Sequence, residues 1–305
     1  MSSSPDLLRT ALAPCTTYAF DLDDTLHSFR AASSAAATAV FEHIVASTNT
    51  ENPTLLHHQP GNNATTTTTT IDVPRLRALY TTILKAKTAN AFADGATRTS
   101  DDYRKERFAA LLRAAGLSLA PPSSSPSPPP SVSDSPNDEL ESSPFLTALA
   151  ATYKTALRAS LALKPGAAPL LRALKARGRR VVVTEGPRDA QLWTLRELGL
   201  LKETGGFVDE VVTTGDVGRA KVEEGFWGEV LRRIGGGGGG DDRVLRAEEV
   251  AVVGDSWERD VVPAREAGCV VVWYCEGGDG EERDGVLRVD ALDRLREAVE
   301  TESGV

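Results

Sequence analysis

The chain is poor in cysteine, and this limits the kinds of protein it can be. Its 305 residues include only three cysteines, Cys15, Cys269 and Cys275, and these form no CxxC pair or other metal-ligand spacing. So odd and sparse a set argues against a disulfide framework and against a cysteine-ligated metal. It favours a reducing, intracellular compartment, and we therefore expect a cytoplasmic protein.

The sequence also lacks an excess of positive charge and long apolar runs. Lys and Arg number 34 against 43 Asp and Glu, a formal net charge of -9, so we expect no general attraction to nucleic acid or to a membrane surface. The longest apolar runs, such as CVVVWYC at 269–275, are far shorter than the roughly 18 residues that cross a bilayer. The N-terminus, MSSSPDLLRTALAPC, lacks the pattern of a secretory signal but is compatible with a short organelle-targeting peptide.

The C-terminal half of the chain alternates between two hydrophobic periods. A helical pattern in PGAAPLLRALKARG (165–178) is followed by the β-branched run RRVVVTEG (179–186). The alternation of helix and strand then repeats in RDAQLWTLRELGL (188–200), FVDEVVTT (207–214), EEGFWGEVLRRI (223–234), EVAVVGD (249–255), WERDVVPAREAG (257–268) and CVVVWYC (269–275). Short apolar strands separated by helices predict a parallel sheet covered on both faces. We therefore expect a doubly wound α/β fold.

A long stretch between the first strand, at about 17–20, and the helix at 165 has helical patterns and no strand-like one. We interpret it as an inserted helical domain over the carboxyl edge of the sheet, with residues 27–161 in the insertion and residues 1–26 and 162–305 in the core. Four aromatic residues are expected to pack in the interior of the insertion, namely Tyr80, Phe92, Tyr103 and Phe108.

Three low-complexity stretches predict lengthened surface loops. Residues 121–136 are almost wholly Pro and Ser, residues 65–70 are six Thr, and residues 235–242 are GGGGGGDD. None offers apolar side chains to bury. Within the insertion we expect disordered loops at about 57–70 and 120–138.

Polar residues follow the predicted strands at the point where each strand ends. The stretch YAFDLDDTLHS (18–28) places Asp21 and Asp23 behind a short apolar run, and Thr184 closes VVVT. Asp255 closes VAVVGD, with Asp260 in the next turn, and Lys221 follows DEVVTT after a short loop. Ligands of parallel α/β sheets bind at the carboxyl ends of the strands. The sequence therefore predicts that these side chains converge on one rim.

Each of these residues, taken singly, has an ordinary structural explanation. Asp21 and Asp24 could cap a helix or form a turn, Thr184 could cap the next helix, and Lys221 could be a solvated surface charge. Together they suggest a bound cation, because a fold gains nothing by crowding acids without one. Mg²⁺ accepts carboxylate and carbonyl oxygens and keeps waters for a substrate phosphate. We therefore expect Mg²⁺ as the cofactor and a small phosphate ester as the substrate.

The same residue types suit the hydrolysis of a phosphate monoester. A carboxylate can attack phosphorus to give an aspartyl-phosphate, and we assign this role to Asp21. A second acid can protonate the leaving oxygen and later deprotonate water, and Asp23 suits that role. Thr184 and nearby backbone N–H groups would bind the phosphoryl group, Lys221 would compensate its charge, and Asp255 would complete the metal ligands.

These residues resemble the motifs of the haloacid dehalogenase superfamily of phosphohydrolases. DLDDT (21–25) resembles its first motif, DxDxT, and GDSWERD (254–260) resembles its fourth, GDxxxxD, while Thr184 and Lys221 stand where the second and third motifs have Thr or Ser and Lys. The resemblance covers residues 17–28 and roughly 160–300. It implies a Rossmann-like sheet with an inserted helical cap domain of the C1 type, and it implies that Asp23 contributes its backbone carbonyl to the metal.

The expected site residues fall into four groups, namely catalytic residues, metal ligands, phosphate-binding residues and supporting residues. The catalytic residues are Asp21 and Asp23, and the metal ligands are Asp21, Asp23 and Asp255. The phosphate-binding residues are Thr184, Glu185, Gly186 and Lys221, and the supporting residues are Thr25 and Asp260.

Two positions depart from the family pattern. Glu185 stands where the family often has Asn, and Val222 stands where it usually has Pro. Glu185 would weaken phosphate binding if it faced the phosphate, whereas toward solvent or the cap it could bind a cationic or hydroxylated part of the substrate. Further substrate contacts could come from Arg30, Arg104 and Arg107, for each of which a solvated helix face is the ordinary explanation.

Other functions stay open from the sequence. A dehalogenase fits less well, because cleavage of a carbon–halogen bond has no leaving oxygen to protonate and needs neither the second acid nor the metal. A phosphotransferase or mutase would use the same groups as a phosphatase. A binding or regulatory protein that has lost activity would keep the fold, with Glu185 as the sign of decay. The sequence does not determine the oligomeric state.

Overall fold

The computed structural model describes residues 2–49, 56–58, 71–88, 99–119, 143–236, 245–278 and 285–300. The chain divides into two compact units, one made of Met1–Arg30 with Leu161–Val305 and one made of Ala31–Ser160. The domain limits expected from the sequence, 1–26 with 162–305 and 27–161, stay a proposal about which parts fold independently.

The described residues form eight strands and eleven α-helices, apart from shorter turns of 3₁₀ and π-helix. The strands are β1 (Thr17–Phe20), β2 (Leu56–His58), β3 (Leu117–Leu119), β4 (Arg179–Thr184), β5 (Glu210–Thr213), β6 (Val250–Gly254), β7 (Val270–Tyr274) and β8 (Leu287–Val289). The helices are α1 (Pro5–Leu12), α2 (Phe29–Asn49), α3 (Val73–Thr88), α4 (Ser100–Ala114), α5 (Pro144–Ser160), α6 (Ala167–Ala173), α7 (Arg188–Glu197), α8 (Thr214–Val217), α9 (Phe226–Gly235), α10 (Val262–Glu266) and α11 (Leu292–Glu300).

The first unit contains a six-stranded sheet with the strand order β5-β4-β1-β6-β7-β8. Every neighbouring pair is parallel. The chain runs from β1 outward through β4 to β5 and then returns to the other side of β1 to form β6, β7 and β8. This reversal is the topological switch point of a doubly wound sheet, and it lies beside β1. The predicted fold class is confirmed.

The strands alternate their side chains between two separate cores. Val181 and Val183 of β4 pack in a cluster with Phe226 and Trp227, whereas Val182 packs in the opposite cluster with residues such as Leu170. Successive side chains of a strand point to opposite faces, so a strand buried on both faces needs a continuous apolar run. This is why VVV and VAVV could be recognised as strands of a parallel sheet.

Two elements near the chain ends complete the first unit, although the sequence pattern did not predict them. Helix α1 begins after Ser4, whose hydroxyl accepts a hydrogen bond from the Leu7 N–H, and it buries Leu8 and Leu12. Strand β8 is only three residues long and lies at the edge of the sheet. A three-residue strand is too short to display a period.

The second unit contains α3, α4, α5 and most of α2. Its interior is aromatic, as predicted for Tyr80 and Phe108, whose rings stack at a centroid distance of 5.9 Å. Tyr103 is only partly buried, and Phe92 lies outside the described residues. The expectation of an insertion without strands is wrong, because β2 and β3 pair in an antiparallel ribbon.

The predicted loops fall mostly outside the described residues. This holds for 65–70, for 121–136 and for the part of the glycine run beyond Gly236; helix α9 ends at Gly235, inside that run. Strand β2 occupies residues 57 and 58, which the prediction had assigned to a loop. Across the described ranges, we find no helix that combines the length and the apolar character needed to cross a membrane.

Candidate active site

Asp21 lies directly at the carboxyl end of the central strand. Its backbone N–H donates to the Val253 carbonyl at 2.9 Å, which extends the ladder between β1 and β6 by one residue. The residue is only 8% exposed. A carboxylate is thus held at the switch point, at the end of an apolar strand, with little access to water.

Lys221 places an ammonium group between two carboxylates. Its Nζ donates to Asp21 Oδ1 at 2.6 Å and to Asp260 Oδ1 at 2.7 Å. Lys221 is 2% exposed, so the ion pairs are screened little by solvent. The neighbouring Val222, which replaces the usual Pro, is 56% exposed and leaves the lysine in place.

Three carboxylates from two loops come together at this end of the sheet. One oxygen each of Asp21, Asp255 and Asp260 lie within 4.8 Å of one another. Such a cluster offers the oxygen ligands that a hard divalent cation takes. Asp21 and Asp255 are among the predicted metal ligands, whereas Asp260 had been expected only as a supporting residue.

The backbone of Asp255 is fixed on both sides. Its N–H donates to Thr25 Oγ1 at 3.0 Å, and its carbonyl accepts from Trp273 Nε1 at 3.0 Å. Thr25 is fully buried in the loop after β1. These contacts join the loop after β1 to the loop after β6, and they hold Asp255 beside Asp21. Thr25 therefore lies where a supporting residue was expected.

A π-helical turn returns Asp260 to the site. In the segment Trp257–Val261 the Val261 N–H donates to the Ser256 carbonyl, five residues back. Asp260 Oδ2 accepts from the Ser256 N–H at 3.1 Å, which leaves Oδ1 to Lys221. Gly254 makes room for this turn, because an added Cβ there would lie 2.4 Å from Asp260 Cβ.

The burial of these charges shifts their pKa values. Burial raises the pKa of Asp21 well above its ordinary value, and the Lys221 ammonium only partly offsets this. Burial also raises the pKa of Asp255, and the charge of Asp260 adds to the increase. Burial alone would lower the pKa of Lys221, but the charges of Asp21 and Asp260 outweigh burial and raise it. The carboxylates are thus crowded in a way that a bound cation would relieve.

Asp23 is held by a histidine that the sequence analysis did not single out. His27 Nε2 lies 2.8 Å from Asp23 Oδ1. The histidine is fully buried, whereas the Asp23 side chain is 26% exposed. The spacing of four residues between the two was visible in DLDDTLH, but no hydrophobic pattern indicates that these side chains face each other.

Thr184 ends β4 with a buried hydroxyl that has no hydrogen-bond partner among the residues that the structure describes. Buried polar groups are nearly always paired, so this hydroxyl at the strand end is available for a ligand. A phosphoryl oxygen would supply the partner. The residues of this rim therefore fit both a divalent cation and an anion.

Gly186 and Glu185 already have partners within the described residues. Gly186 has φ of 119° and its N–H donates to Thr214 Oγ1 at 2.9 Å, so this predicted phosphate donor is engaged. Glu185 Oε2 accepts from Arg259 Nη1 at 2.5 Å. The guanidinium offsets the charge of Glu185, and Arg259 is a neighbour that the sequence analysis did not identify.

The three arginines considered as substrate contacts lie in different surroundings. Arg30 Nη2 donates to Asp255 Oδ2 at 3.0 Å, and Arg30 Nε lies 3.2 Å from Asp24 Oδ2, although the side chain is 76% exposed. Arg104 and Arg107 belong to the second unit, where Arg104 pairs with Asp101 at 2.6 Å. Arg30 thus forms an ion pair with a residue of the carboxylate cluster.

Comparison with known proteins shows the family of this chain. A family model described as haloacid dehalogenase-like hydrolase matches residues 15–268. A curated relative, the glyceraldehyde 3-phosphate phosphatase of Methanocaldococcus jannaschii, is 30% identical over 137 residues, which are 45% of this chain and 54% of that protein. The match thus spans about half the length of that relative.

Two solved structures share the fold at low sequence identity. The HAD-hydrolase YfnB from Bacillus subtilis, bound to magnesium, is 20% identical with a TM-score of 0.57, covering 93% of this chain and 98% of that chain. The 2-haloacid dehalogenase from Pseudomonas syringae pv. Tomato is 19% identical with a TM-score of 0.58, covering 95% and 100%. The family model matches well over half of the chain, and the protein therefore belongs to the haloacid dehalogenase-like hydrolases.

Proposed function

We propose that the protein is a magnesium-dependent phosphatase that hydrolyses a small phosphate monoester through an aspartyl-phosphate. The observation that carries the proposal is Asp23, a second acid two residues after Asp21, held by His27 at 2.8 Å. Cleavage of a phosphate ester releases an oxygen that needs a proton, whereas cleavage of a carbon–halogen bond does not. The phosphatase among the relatives supports this choice, although similar structures include a dehalogenase.

Asp21 carries the first step as a nucleophile. Its carboxylate oxygen forms a bond to phosphorus while the bond from phosphorus to the ester oxygen breaks. Asp23, protonated at this stage, gives its proton to the departing oxygen, so an alcohol leaves. The product on the enzyme is an acyl phosphate at Asp21.

Asp23 acts as a base in the second step. It takes a proton from water as the water oxygen attacks phosphorus, and the bond between phosphorus and the Asp21 oxygen breaks. Inorganic phosphate leaves, Asp21 is again a carboxylate and Asp23 is again an acid. The two steps thus balance without any other reactant.

The remaining residues would bind the phosphoryl group and the metal ion. The Thr184 hydroxyl and the Lys221 ammonium, which already contacts Asp21 Oδ1 at 2.6 Å, are suited to the phosphoryl oxygens. Asp21, Asp255 and the Asp23 carbonyl would hold Mg²⁺, with Asp260 beside them. Bound there, Mg²⁺ supplies positive charge against the phosphate dianion.

A phosphate-release assay tests the proposal. Sugar phosphates, nucleotides and p-nitrophenyl phosphate are incubated with and without Mg²⁺. Metal-dependent release from at least one of them is expected, and Asp21→Asn should abolish it. Asp24→Asn is the matched control, because Asn also tolerates the positive φ of 65° at this position.

Three outcomes would contradict the proposal. Folded protein that releases phosphate from none of the compounds, with ligand binding unchanged in Asp21→Asn, would indicate a binding protein. Halide release from 2-chloropropionate without phosphate release would indicate a dehalogenase. Transfer of phosphate to an added alcohol in place of water would indicate a phosphotransferase.

The same proposal includes a small soluble substrate and a cytoplasmic location of the protein. The structure has three free cysteines, two of them buried, which fits a reducing compartment. Fractionation of cells that produce the tagged protein would test the location, and recovery in a membrane or secreted fraction would contradict it.

A further inference from the structure

His27 is held firmly in the loop between β1 and α2. Its backbone N–H donates to the Leu22 carbonyl at 3.2 Å, and its carbonyl accepts from the Asp24 N–H at 2.8 Å. The ring meets Phe29 edge to face at a centroid distance of 5.9 Å. With no exposed surface, the imidazole has little freedom to turn away from Asp23.

The two ring nitrogens of His27 have different surroundings. Nε2 faces Asp23 Oδ1 at 2.8 Å, while Nδ1 is buried and has no partner in the described part of the chain. A proton on Nδ1 would leave a buried donor unpaired, and it would force Asp23 to be the donor toward Nε2. A proton on Nε2 makes a hydrogen bond to the carboxyl and leaves only an acceptor unpaired. The Nε2–H form is therefore favoured.

This tautomer distinguishes the two oxygens of Asp23. Oδ1 is occupied as an acceptor by the His27 N–H, so the proton that Asp23 carries as an acid must lie on Oδ2. Asp23 is partly exposed, in contrast to the fully buried ring behind it. The donor proton thus lies on the oxygen that the histidine does not hold, and from there it can pass to a leaving oxygen.

We propose that His27 is a positioning residue that holds the carboxyl of Asp23 through Oδ1 and thereby presents its proton on Oδ2 to the leaving group. The proposal rests on the phosphatase function, because only a leaving oxygen needs this proton. His27 touches neither substrate nor the phosphoryl group. It acts through the orientation of Asp23, so its loss should be felt only where proton donation limits the reaction.

Two aryl phosphates of similar shape separate positioning from general damage to the fold. Phenyl phosphate releases a basic phenolate that benefits from a proton, whereas p-nitrophenyl phosphate releases a much weaker base. The release of each phenol is measured in a single turnover with Mg²⁺, which isolates the first chemical step. General acid catalysis contributes about 100-fold or more, and loss of its orientation should remove a part of that.

The variants differ in whether residue 27 can donate a hydrogen bond to Asp23. His27→Leu removes the donor and should slow release from phenyl phosphate by about ten-fold or more, with a change under about three-fold for p-nitrophenyl phosphate. His27→Gln places an amide nitrogen near the position of Nε2 and should restore much of the loss. His27→Asn has the same amide on a side chain one carbon shorter, which does not reach Asp23. It should therefore behave like His27→Leu, and it replaces that variant in the test if His27→Leu does not fold.

Controls make the proposal falsifiable. His43, a partly buried histidine in the second unit whose Nδ1 lies 3.0 Å from Thr152 Oγ1, is the matched site, and His43→Leu should affect both substrates equally. In an Asp23→Asn background, His27→Leu should have no further selective effect. Equal losses for both substrates in all His27 variants would overturn the proposal. Absence of release by the wild type from both aryl phosphates and from every compound of the phosphate-release assay would instead reject the phosphatase function.

Discussion

Thr184 and Thr213 end neighbouring strands, and they are paired in register between β4 and β5. Both are fully buried. The Thr213 hydroxyl accepts from the Asp216 N–H at 3.1 Å and caps α8, whereas the Thr184 hydroxyl has no partner in the described ranges. Two identical side chains at equivalent positions therefore differ: Thr213 caps a helix, whereas the hydroxyl of Thr184 is the one that we propose for the phosphoryl group.

Replacement of these two threonines by valine should have opposite effects on stability. Thr184→Val removes a buried unpaired hydroxyl and should raise the free energy of unfolding by about 1 kcal/mol, while phosphate release falls. Thr213→Val removes a cap and should lower the free energy of unfolding by about 1 kcal/mol. Urea unfolding and phosphate release are measured for both. A destabilised Thr184→Val variant would show that its hydroxyl has a partner in the folded protein.

A second pair of substitutions tests the space around Asp260. Gly254→Ala would bring a Cβ within 2.4 Å of Asp260 Cβ and Cγ, so the π-helical turn must shift. We expect a loss of about 1–3 kcal/mol in the free energy of unfolding and a loss of activity. In Gly228→Ala of α9, the added Cβ would meet no described atom within 4 Å outside the adjacent helix backbone, so the substitution should instead stabilise the helix by about 0.5–1 kcal/mol. Equal stability of the two variants in urea would contradict this explanation.

At the scale of the elements, the site depends on loops that bind one another. Thr25 in the loop after β1 accepts from the Asp255 N–H in the loop after β6, and Trp273 of β7 donates to the Asp255 carbonyl. Contacts of this kind would orient Asp255 toward the proposed metal ion without touching the ion. The position of Asp255 is thus determined by three elements.

Thr25→Val should weaken Mg²⁺ binding by about ten-fold. Valine keeps the shape of threonine but removes the acceptor for the Asp255 N–H. Mg²⁺ that binds only the folded protein should stabilise it, by about 2.7 kcal/mol at 100 times Kd, so the melting temperature is measured against Mg²⁺ concentration. Thr25→Ser should keep the wild-type dependence. Thr213→Val is the control, and it should lower the melting temperature without changing the Mg²⁺ concentration at which half of the increase is reached.

The sequence predicted those strands and helices that show a regular hydrophobic pattern over several consecutive residues. Strands such as VAVVG and the helices between them showed their periods, and the strand ends led to Asp21, Thr184, Lys221 and Asp255. It missed β2, β3 and β8, which are three residues long each. It also missed Arg259, because the pair of Glu185 with Arg259 joins loops that only the folded sheet brings together. It missed His27 because no hydrophobic pattern shows that this side chain faces Asp23 in the same loop.

At the scale of the whole molecule, the reactivity of two buried thiols shows whether the first unit is folded. Burial raises the pKa of Cys15 to about 11 and that of Cys269 to about 12. The reactive form of a cysteine is the thiolate, so both should be inert at neutral pH. The raised pKa values also make the free energy of unfolding depend on pH. The contribution of the two thiols is fully present below pH 9, the ordinary pKa of a thiol, and it is lost as the pH rises toward their folded-state pKa values of about 11 and about 12.

Alkylation by iodoacetamide tests this expectation. At pH 8 the partly exposed Cys275 should react first, while Cys15 and Cys269 should react only as the protein unfolds in urea. Above pH 9 the free energy of unfolding should decrease. Mass spectrometry of the labelled peptides measures the order of reaction. Labelling of all three cysteines at equal rates in the native protein would contradict the burial of the two thiols.

The central position of β1 has a consequence for synthesis on the ribosome. Its neighbours β4 and β6 are both encoded after the whole of Ala31–Ser160. At translation speeds of about 5–20 residues per second, the strand TYAF emerges on the order of ten seconds before its first neighbour exists. A nascent chain stopped before Arg179 therefore carries Asp21, the proposed nucleophile, on an unpaired apolar segment, and the candidate site can form only once the late strands have been translated.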